Sequence, residues 1–479
     1  MAIVGAGAVG LTLAGRLAQH GLIPDLFESS LTTRRIGSRA ICMQRETLEI
    51  WARLGIGDGV AERGVQWRTG RTYFQGRELF SIELPDSPDE HFPPFVNISQ
   101  SEVEVRLLER IAELGVRIHR GHRLIGLEQE TDGVIATFAT EHGEVAHRSA
   151  FLVGTDGAHS GVRHAIGVGF PGHTFEDRFL IADIRAELPF TSERHFHFDP
   201  PWNPGRQVLI HPQPDGVWRI DWRVPPGTDP DAEAADGRLD RRIRRVIGES
   251  MPYDLLWATA YRFSQRVADA FRDHRVLLAG DAAHVMSPFG ARGLNSGIAD
   301  AENLAWKLPL VVRGAAPYSL LETYEAERRP AALENLAATG ATMRFMAPRG
   351  PLRRAGRDLV LGMAARSEWF RRRVDSGRLA KPARYRRSAI VVAGHGSIVP
   401  NLVLRDGGRL RDRLGRSFLI VSSHDLDGAP DGANAAVVSS DLGGRVLIVR
   451  PDGYVADSVL SGRATLEELS VRLDRARGF

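Results

Sequence analysis

The apolar positions change period twice in the first thirty residues. Ile3 and Val4 close a short unbroken apolar run, and Leu11, Leu13, Ala14, Leu17 and Ala18 then recur at helical spacing. Gly21 stops that helix, and "LIPDLFES" is a second short apolar run ending near Glu28. The pattern predicts a strand–loop–helix–strand unit. Residues 101–114 ("SEVEVRLLERIAEL") predict another helix, and "VRIHRGHRLIGLEQE", "GVIATFAT" and "HRSAFLVGTDG" predict strands. From about 178 the chain becomes strand-rich. "VLIHPQPDGVWRIDWRV" predicts a hairpin turning at Pro214, Asp215 and Gly216. Trp218, Ile220 and Trp222 alternate there with Arg219, Asp221 and Arg223, so one face is aromatic and the other charged, and either could line a pocket.

Residues 232–247 predict one charged helix. "RVLLAGDAAH" predicts a buried strand and "LNSGIADAENLAWKL" a helix that Pro309 should kink or end. Residues 344–381 are arginine-rich and mostly helical by pattern. The last block, with "SFLIVSS" and "RVLIVRPDGYVADSV", predicts a small α/β domain with a terminal amphipathic stretch.

At 479 residues the chain calls for two or three domains. Its 62 Lys+Arg nearly balance 59 Asp+Glu, so no nucleic-acid partner is expected, and local runs such as "FRRRV" read as solvated faces. One cysteine, Cys42, excludes an intrachain disulfide and a cysteine-rich metal site. With no membrane span and no signal-like start in the sequence, the expected location is the cytoplasm, with a mild preference for a homodimer.

The chemistry starts at "GAGAVG". Gly5, Gly7, Ala8, Val9 and Gly10 lie between strand and helix, where glycines let a pyrophosphate approach the backbone and the helix N-terminus offers free N–H groups. Glu28, 18 residues beyond Gly10, can accept from ribose hydroxyls. This unit suits FAD or NAD equally. His195 and His197 share a strand face but read as sheet residues, and no metal is expected. His284 reads as a packing and hydrogen-bonding residue, and no serine sits in a nucleophile elbow.

Two further motifs, "GTDGAHSGVR" (residues 154–163) and "LLAGDAAHVMSPFGARGLNSGIADAENLAWKL" (277–308), follow the first in an order and spacing that resembles the FAD-dependent aromatic hydroxylases. These are the single-component flavoprotein monooxygenases related to p-hydroxybenzoate hydroxylase and phenol hydroxylase. "SRAICMQRETLEIWARLG" and the terminal block resemble the 3-(3-hydroxyphenyl)propionate hydroxylase-like subgroup.

The resemblance implies that Gly280 and Asp281 meet the ribityl chain, that Pro288 lies beside the isoalloxazine, and that Gly293, Leu294 and Asn295 face its pyrimidine end. It also implies that Asp156, Gly157 and Arg163 brace the pyrophosphate side, and that Gln100 and Arg39 contact the cofactor, with Arg45 a weaker candidate. His211 and Arg219 are candidate polar groups of the substrate pocket and Met43 a candidate wall.

The implied fold is α/β: a Rossmann-like FAD-binding domain (1–175 and 265–345), an inserted strand-rich substrate domain (176–264), a helical connector (346–385) and a thioredoxin-like C-terminal domain (386–479) without redox cysteines. The implied activity uses FAD, NADPH or NADH, and O2 to hydroxylate a small phenolic aromatic through a flavin C4a-hydroperoxide. Two alternatives stand beside it: a tailoring oxygenase of a polycyclic aromatic metabolite, and a flavin-binding protein without turnover. A flavin-dependent halogenase is disfavoured, because Trp218 and Trp222 do not form the signature of those enzymes.

Overall fold

The computed structural model describes residues 1–32, 40–84, 89–189, 192–346, 348, 350–364, 366–367, 369, 382–426 and 428–479. Three strands, Ala2–Val4, Leu152–Gly154 and Val276–Leu278, form the centre of a six-stranded sheet. They run parallel, with Ile3 beside Val153 and Val153 beside Leu277. All three of these side chains are fully buried, as strands covered on both faces require. Asp25–Glu28 and Arg117–Arg120 extend the sheet on one side, and the short antiparallel strand Arg272–Asp273 ends it on the other. The helix Ala8–Gln19 leaves the first strand and packs against the helices Gly293–Val312 and Gln100–Glu113, which makes this layer Rossmann-like.

The second layer is an eight-stranded sheet in which the strands Asp254–Val267, Gly172–Arg185, Val217–Val224, Val208–Pro212 and Arg194–Phe198 pair antiparallel in that order. Thr69–Phe74, from early in the chain, joins parallel to Arg194–Phe198 and brings Arg77–Glu83 with it. The expected hairpin forms: Asp215 and Gly216 both take positive φ, and Gln213 N donates to Val217 O at 2.8 Å. Of its two faces, the aromatic one is core. Trp218, Ile220 and Trp222 pack with Leu239 and Ile243 of the helix Arg238–Ile247, and Arg219 and Asp221 are left on the opposite face.

Three local expectations are corrected. Residues 232–247 form two helices, Pro230–Ala235 and Arg238–Ile247, because Gly237 takes a left-handed φ of 75° between them. The Gly293 helix runs through Pro309 to Val312, so the proline does not end it: proline removes one N–H, and the helix around it is largely buried. Met43 is fully buried in the core of the Rossmann-like layer and does not reach the cavity described below.

The C-terminal block is a four-stranded mixed sheet. Phe418–Ser422 pairs parallel with Ala433–Val437 and antiparallel with Arg445–Val449, which pairs with Val455–Leu460 under the helix Leu466–Arg477. A buried ionic cluster joins it to the rest. Glu327, on the helix Glu322–Met346, accepts from Lys307 Nζ at 2.8 Å, Asn303 Nδ2 at 2.6 Å and Ser388 Oγ at 2.6 Å. Arg450 reaches both of its oxygens, at 2.5 and 2.9 Å. Burial acts to raise the Glu327 carboxyl, but the Arg450 and Lys307 charges hold it well below the usual range. Removing one partner of such a cluster strands buried charge. The Glu327→Gln variant should therefore lose about 3–5 kcal/mol of stability, read as a lower urea midpoint. An unchanged midpoint would show the cluster to be energetically idle.

Candidate active site

The glycine loop is shaped by close contacts. A Cβ on Gly10 would lie 2.0 Å from the Gly5 carbonyl oxygen and 2.6 Å from Thr155 Oγ1, so helix and strand meet only because Gly10 has none. Glu28, at its strand end, accepts from Ala6 N at 2.9 Å and from Ser30 N at 2.8 Å, which places its carboxylate against the loop. The first intrahelical bond runs from Leu11 N to Gly7 O. The N–H groups of Ala8, Val9 and Gly10 therefore lack intrahelical partners, and those of Val9 and Gly10 form an anion-seeking end. Sequence reasoning missed Glu104, whose Oε1 accepts from Ala8 N at 3.1 Å and from Gln100 Nε2 at 2.8 Å. Burial, reinforced by the nearby Glu28, raises its carboxyl. Its position one helical turn beyond Gln100 was the available signal.

The second and third motifs brace one another. Asp156 caps the short helix Gly161–Ala165 by accepting from Ser160 Oγ at 2.6 Å and Val162 N at 3.0 Å. Arg163 donates to Ala282 O at 2.8 Å and Ala158 O at 2.9 Å, with its guanidinium 3.8 Å from the centroid of Phe170. Beneath them His284, fully buried, places Nε2 2.7 Å from Asp300 Oδ2, which also accepts from Gly280 N at 3.0 Å. Asn295 is held by the strand Cys42–Gln44: its Oδ1 accepts from Gln44 N at 3.0 Å and Thr47 Oγ1 at 2.6 Å, and its Nδ2 donates to Cys42 O at 3.0 Å. The N–H groups of Leu294 and Asn295 open the Gly293 helix without intrahelical partners, since the first such bond is from Ser296 N to Arg292 O.

A cavity of about 750 Å³ connects these parts. One wall carries Gly7, Ala8, Val9, Gln100, Gly157 and Asp281, and then Pro288, Gly293, Leu294 and Asn295. The facing wall is the eight-stranded sheet, with Phe179, Phe196, Tyr261 and Phe263 beside the polar residues His211, Arg219 and Asp221. Gly5, Gly10, Glu28, Asp156, Arg163 and Gly280 support the lining from behind and do not line the cavity, and Arg39 lies outside the described residues. Asp221 lies on the charged strand face that could line a pocket, and three further lining groups were left unassigned by sequence reasoning: Arg194 on the sheet, and Trp67 and Cys42 beside it. Burial pushes the Cys42 thiol up to about 12, which removes it as a nucleophile near neutral pH. Burial, with Arg194 and Arg219 nearby, pushes His211 down to about 3 and keeps its imidazole neutral. His195 and His197 lie on the other face of the sheet, stacked against Tyr73. Among the described residues no group of three or more His, Cys, Asp or Glu is placed to hold a metal ion, and no helix is long and apolar enough to cross a membrane.

Residues 1–339 match the family model of the FAD binding domain. The chain is 32% identical to a flavin-dependent monooxygenase of Mycobacteroides abscessus, over 98% of both chains. It is 33% identical to the rifampicin monooxygenase of Streptomyces venezuelae, over 95% of this chain and 94% of the other. Its fold superposes on aklavinone-11 hydroxylase, solved with FAD and aklavinone, with a TM-score of 0.81 at 25% identity, covering 100% and 98% of the two chains. The chain belongs to the FAD-binding aromatic hydroxylases, the superfamily of p-hydroxybenzoate hydroxylase and phenol hydroxylase. It is an FAD-dependent monooxygenase acting on an aromatic substrate.

The cavity fits that cofactor. Space is open where it would lie: a Cβ on Gly7 would meet nothing closer than 3.9 Å, and one on Gly293 nothing within 4 Å. Two helix N-termini border the same cavity, and their free N–H groups can meet negative charge. Gly10→Ala should separate loop from strand and weaken FAD binding by roughly tenfold or more, measured by titrating apoprotein with FAD. An unchanged dissociation constant would remove Gly10 from the cofactor site.

Proposed function

We propose that the protein hydroxylates a phenolic ring at the expense of NADPH or NADH and O2. The observation that carries this reading is the single cavity in which the glycine loop and the N-terminus of the Gly293 helix face an aromatic sheet wall. The residues divide the work. Gly7, Ala8 and Val9 hold the pyrophosphate on a loop that Gly5 and Gly10 shape from behind, and Glu28, braced against that loop, is assigned the ribose. Asp281 holds the ribityl chain and Gln100 contacts the flavin. Asp156, Gly157, Arg163 and Gly280 fix the loops behind them. Pro288 lies beside the flavin ring, and Gly293, Leu294 and Asn295 present N–H groups to its pyrimidine end, where reduction places negative charge. Bound and reduced by nicotinamide, FAD supplies an electrophilic oxygen derived from O2.

The chain's own part is to hold the ring and exclude water. Phe179, Phe196 and Phe263 give the ring an apolar wall, and His211 and Arg219 mark its polar end. A polycyclic substrate is the second reading. The size of the cavity and its aromatic lining favour it, and two of the relatives act on rifampicin and aklavinone. For the terminal block we propose a thioredoxin-like fold without redox function. Its parallel strand pair, antiparallel hairpin and final helix support this, and Cys42 lies elsewhere.

Two measurements test the reading. Asp281→Ala should lose FAD on dialysis, and a variant that stays fully yellow overturns the role of Asp281. Mixed anaerobically with NADPH or NADH, the yellow protein should bleach, and faster with an accepted phenol present. Flavin that neither nicotinamide reduces overturns the proposed electron supply.

A further inference from the structure

The polar end of the cavity contains a carboxyl group, one oxygen of which has no hydrogen-bond partner among the described residues. Asp221 alternates along its strand with Ile220 and Trp222, which pack on the Arg238 helix, so its own side chain stands on the cavity face. There it lies opposite Leu209 on one neighbouring strand and Ile181 on the other, both cavity residues. The nearest cation is committed elsewhere: Arg219 forks onto Asp183, with Nε to Oδ1 at 2.8 Å and Nη2 to Oδ2 at 2.7 Å. Gln213 Nε2 adds a third bond to Asp183, at 3.1 Å. Asp221 Oδ1 is closed off from solvent and has no partner among the described residues.

The other titratable groups on this face are Arg223, two residues along the same strand and within 3.5 Å of Gln207 Oε1, and His211, Arg194 and Tyr261, one from each of three further strands. His211 is neutral, and Arg194 lies over the Trp67 ring, 5.2 Å from its centroid. A buried polar group with no partner is costly, and such groups persist where a ligand completes them.

We propose that Asp221 is a specificity-determining residue: its carboxylate accepts a hydrogen bond from a ring hydroxyl of the aromatic substrate, so that the cavity selects a hydroxylated ring system over the same rings without the hydroxyl. This rests on the cavity being the substrate site, as proposed above. The aromatic wall grips the rings of either compound, and only the hydroxyl reaches Asp221. Burial pushes the Asp221 carboxyl up to about 7, against the pull of Arg219, so its charge changes near neutral pH. Raising the pH through that value ionises the group and makes it the stronger acceptor.

The test uses the FAD-loaded, oxidised full-length protein, without nicotinamide. Its probes are 1-naphthol and naphthalene, and binding is followed by perturbation of the flavin absorbance. The native protein should prefer 1-naphthol by roughly tenfold or more, with the preference growing between about pH 6 and about pH 8. Asp221→Leu should bind both compounds alike. Asp221→Asn keeps the shape of the side chain and one neutral acceptor, so it should retain part of the preference and lose its pH dependence. A preference that survives in Asp221→Leu, or that is missing from the native protein, overturns the assignment. Flavin reduction by nicotinamide is scored separately. Native protein that prefers 1-naphthol but is never reduced refutes the proposed electron supply and leaves Asp221 in place. Reduction without the preference removes Asp221 alone.

Discussion

The carboxylate of Asp300 lies fully buried beneath the site and is met from three directions. Gly280 N donates to it from the turn before Asp281, His284 comes from the next segment, and Arg328 Nε reaches its other oxygen at 2.7 Å from the Glu322 helix. Burial acts to raise this carboxyl, but His284 and Arg328 hold it below the usual range. A charge so placed is tolerable only when every partner is present. The turn that carries Asp281 and the helix whose N-terminus faces the cavity are thus fixed relative to one another. Arg328 continues the chain by donating to Ser296 O at 3.1 Å and to the Tyr385 hydroxyl at 3.1 Å.

The Gly293 helix repeats this device along its length. Glu302 takes Arg16 at 2.8 Å and Arg53 at 3.2 Å, and Lys307 meets Glu327. Each buried charge faces a different part of the molecule: the Ala8 helix, the helix Arg45–Leu54 and the junction with the C-terminal block. The helix is an interior axis, and its polar residues orient neighbours that apolar packing alone would leave free to slide. The eight-stranded sheet divides its labour more simply, with an apolar face closed by the Arg238 helix and a mixed face turned to the cavity.

Much of this was legible in the sequence because the signals are local. The strand–glycine loop–helix unit, the hairpin at Asp215 and Gly216 and the alternation around Trp218 each follow from residues within a few positions of one another. What was not legible depends on pairing across the chain. Which face of the Trp218 strand is core is decided by Leu239 and Ile243, and Thr69–Phe74 reveals its place only when it is paired with Arg194–Phe198. Asp156 and Arg163 resemble cofactor residues in sequence, yet the structure gives their side chains protein partners, because capping and bracing draw on the same residue types as ligand binding. Gly237 splits a charged helix that periodicity joined, and Pro309 fails to break one that tertiary packing secures.

The first strand and the first helix find their partners late. Ala2–Val4 pairs with Leu152–Gly154, Arg16 waits for Glu302, and a further acceptor of Arg16 is Gly415 O, 399 residues away. During synthesis the first strand and helix therefore emerge well before the strand Val276–Leu278, the Gly293 helix and the counter-charges that complete their burial. The apolar helix and half-formed sheet stay partly exposed until most of the polypeptide has left the ribosome. High contact order of this kind makes for slow, cooperative maturation and a dependence on chaperones.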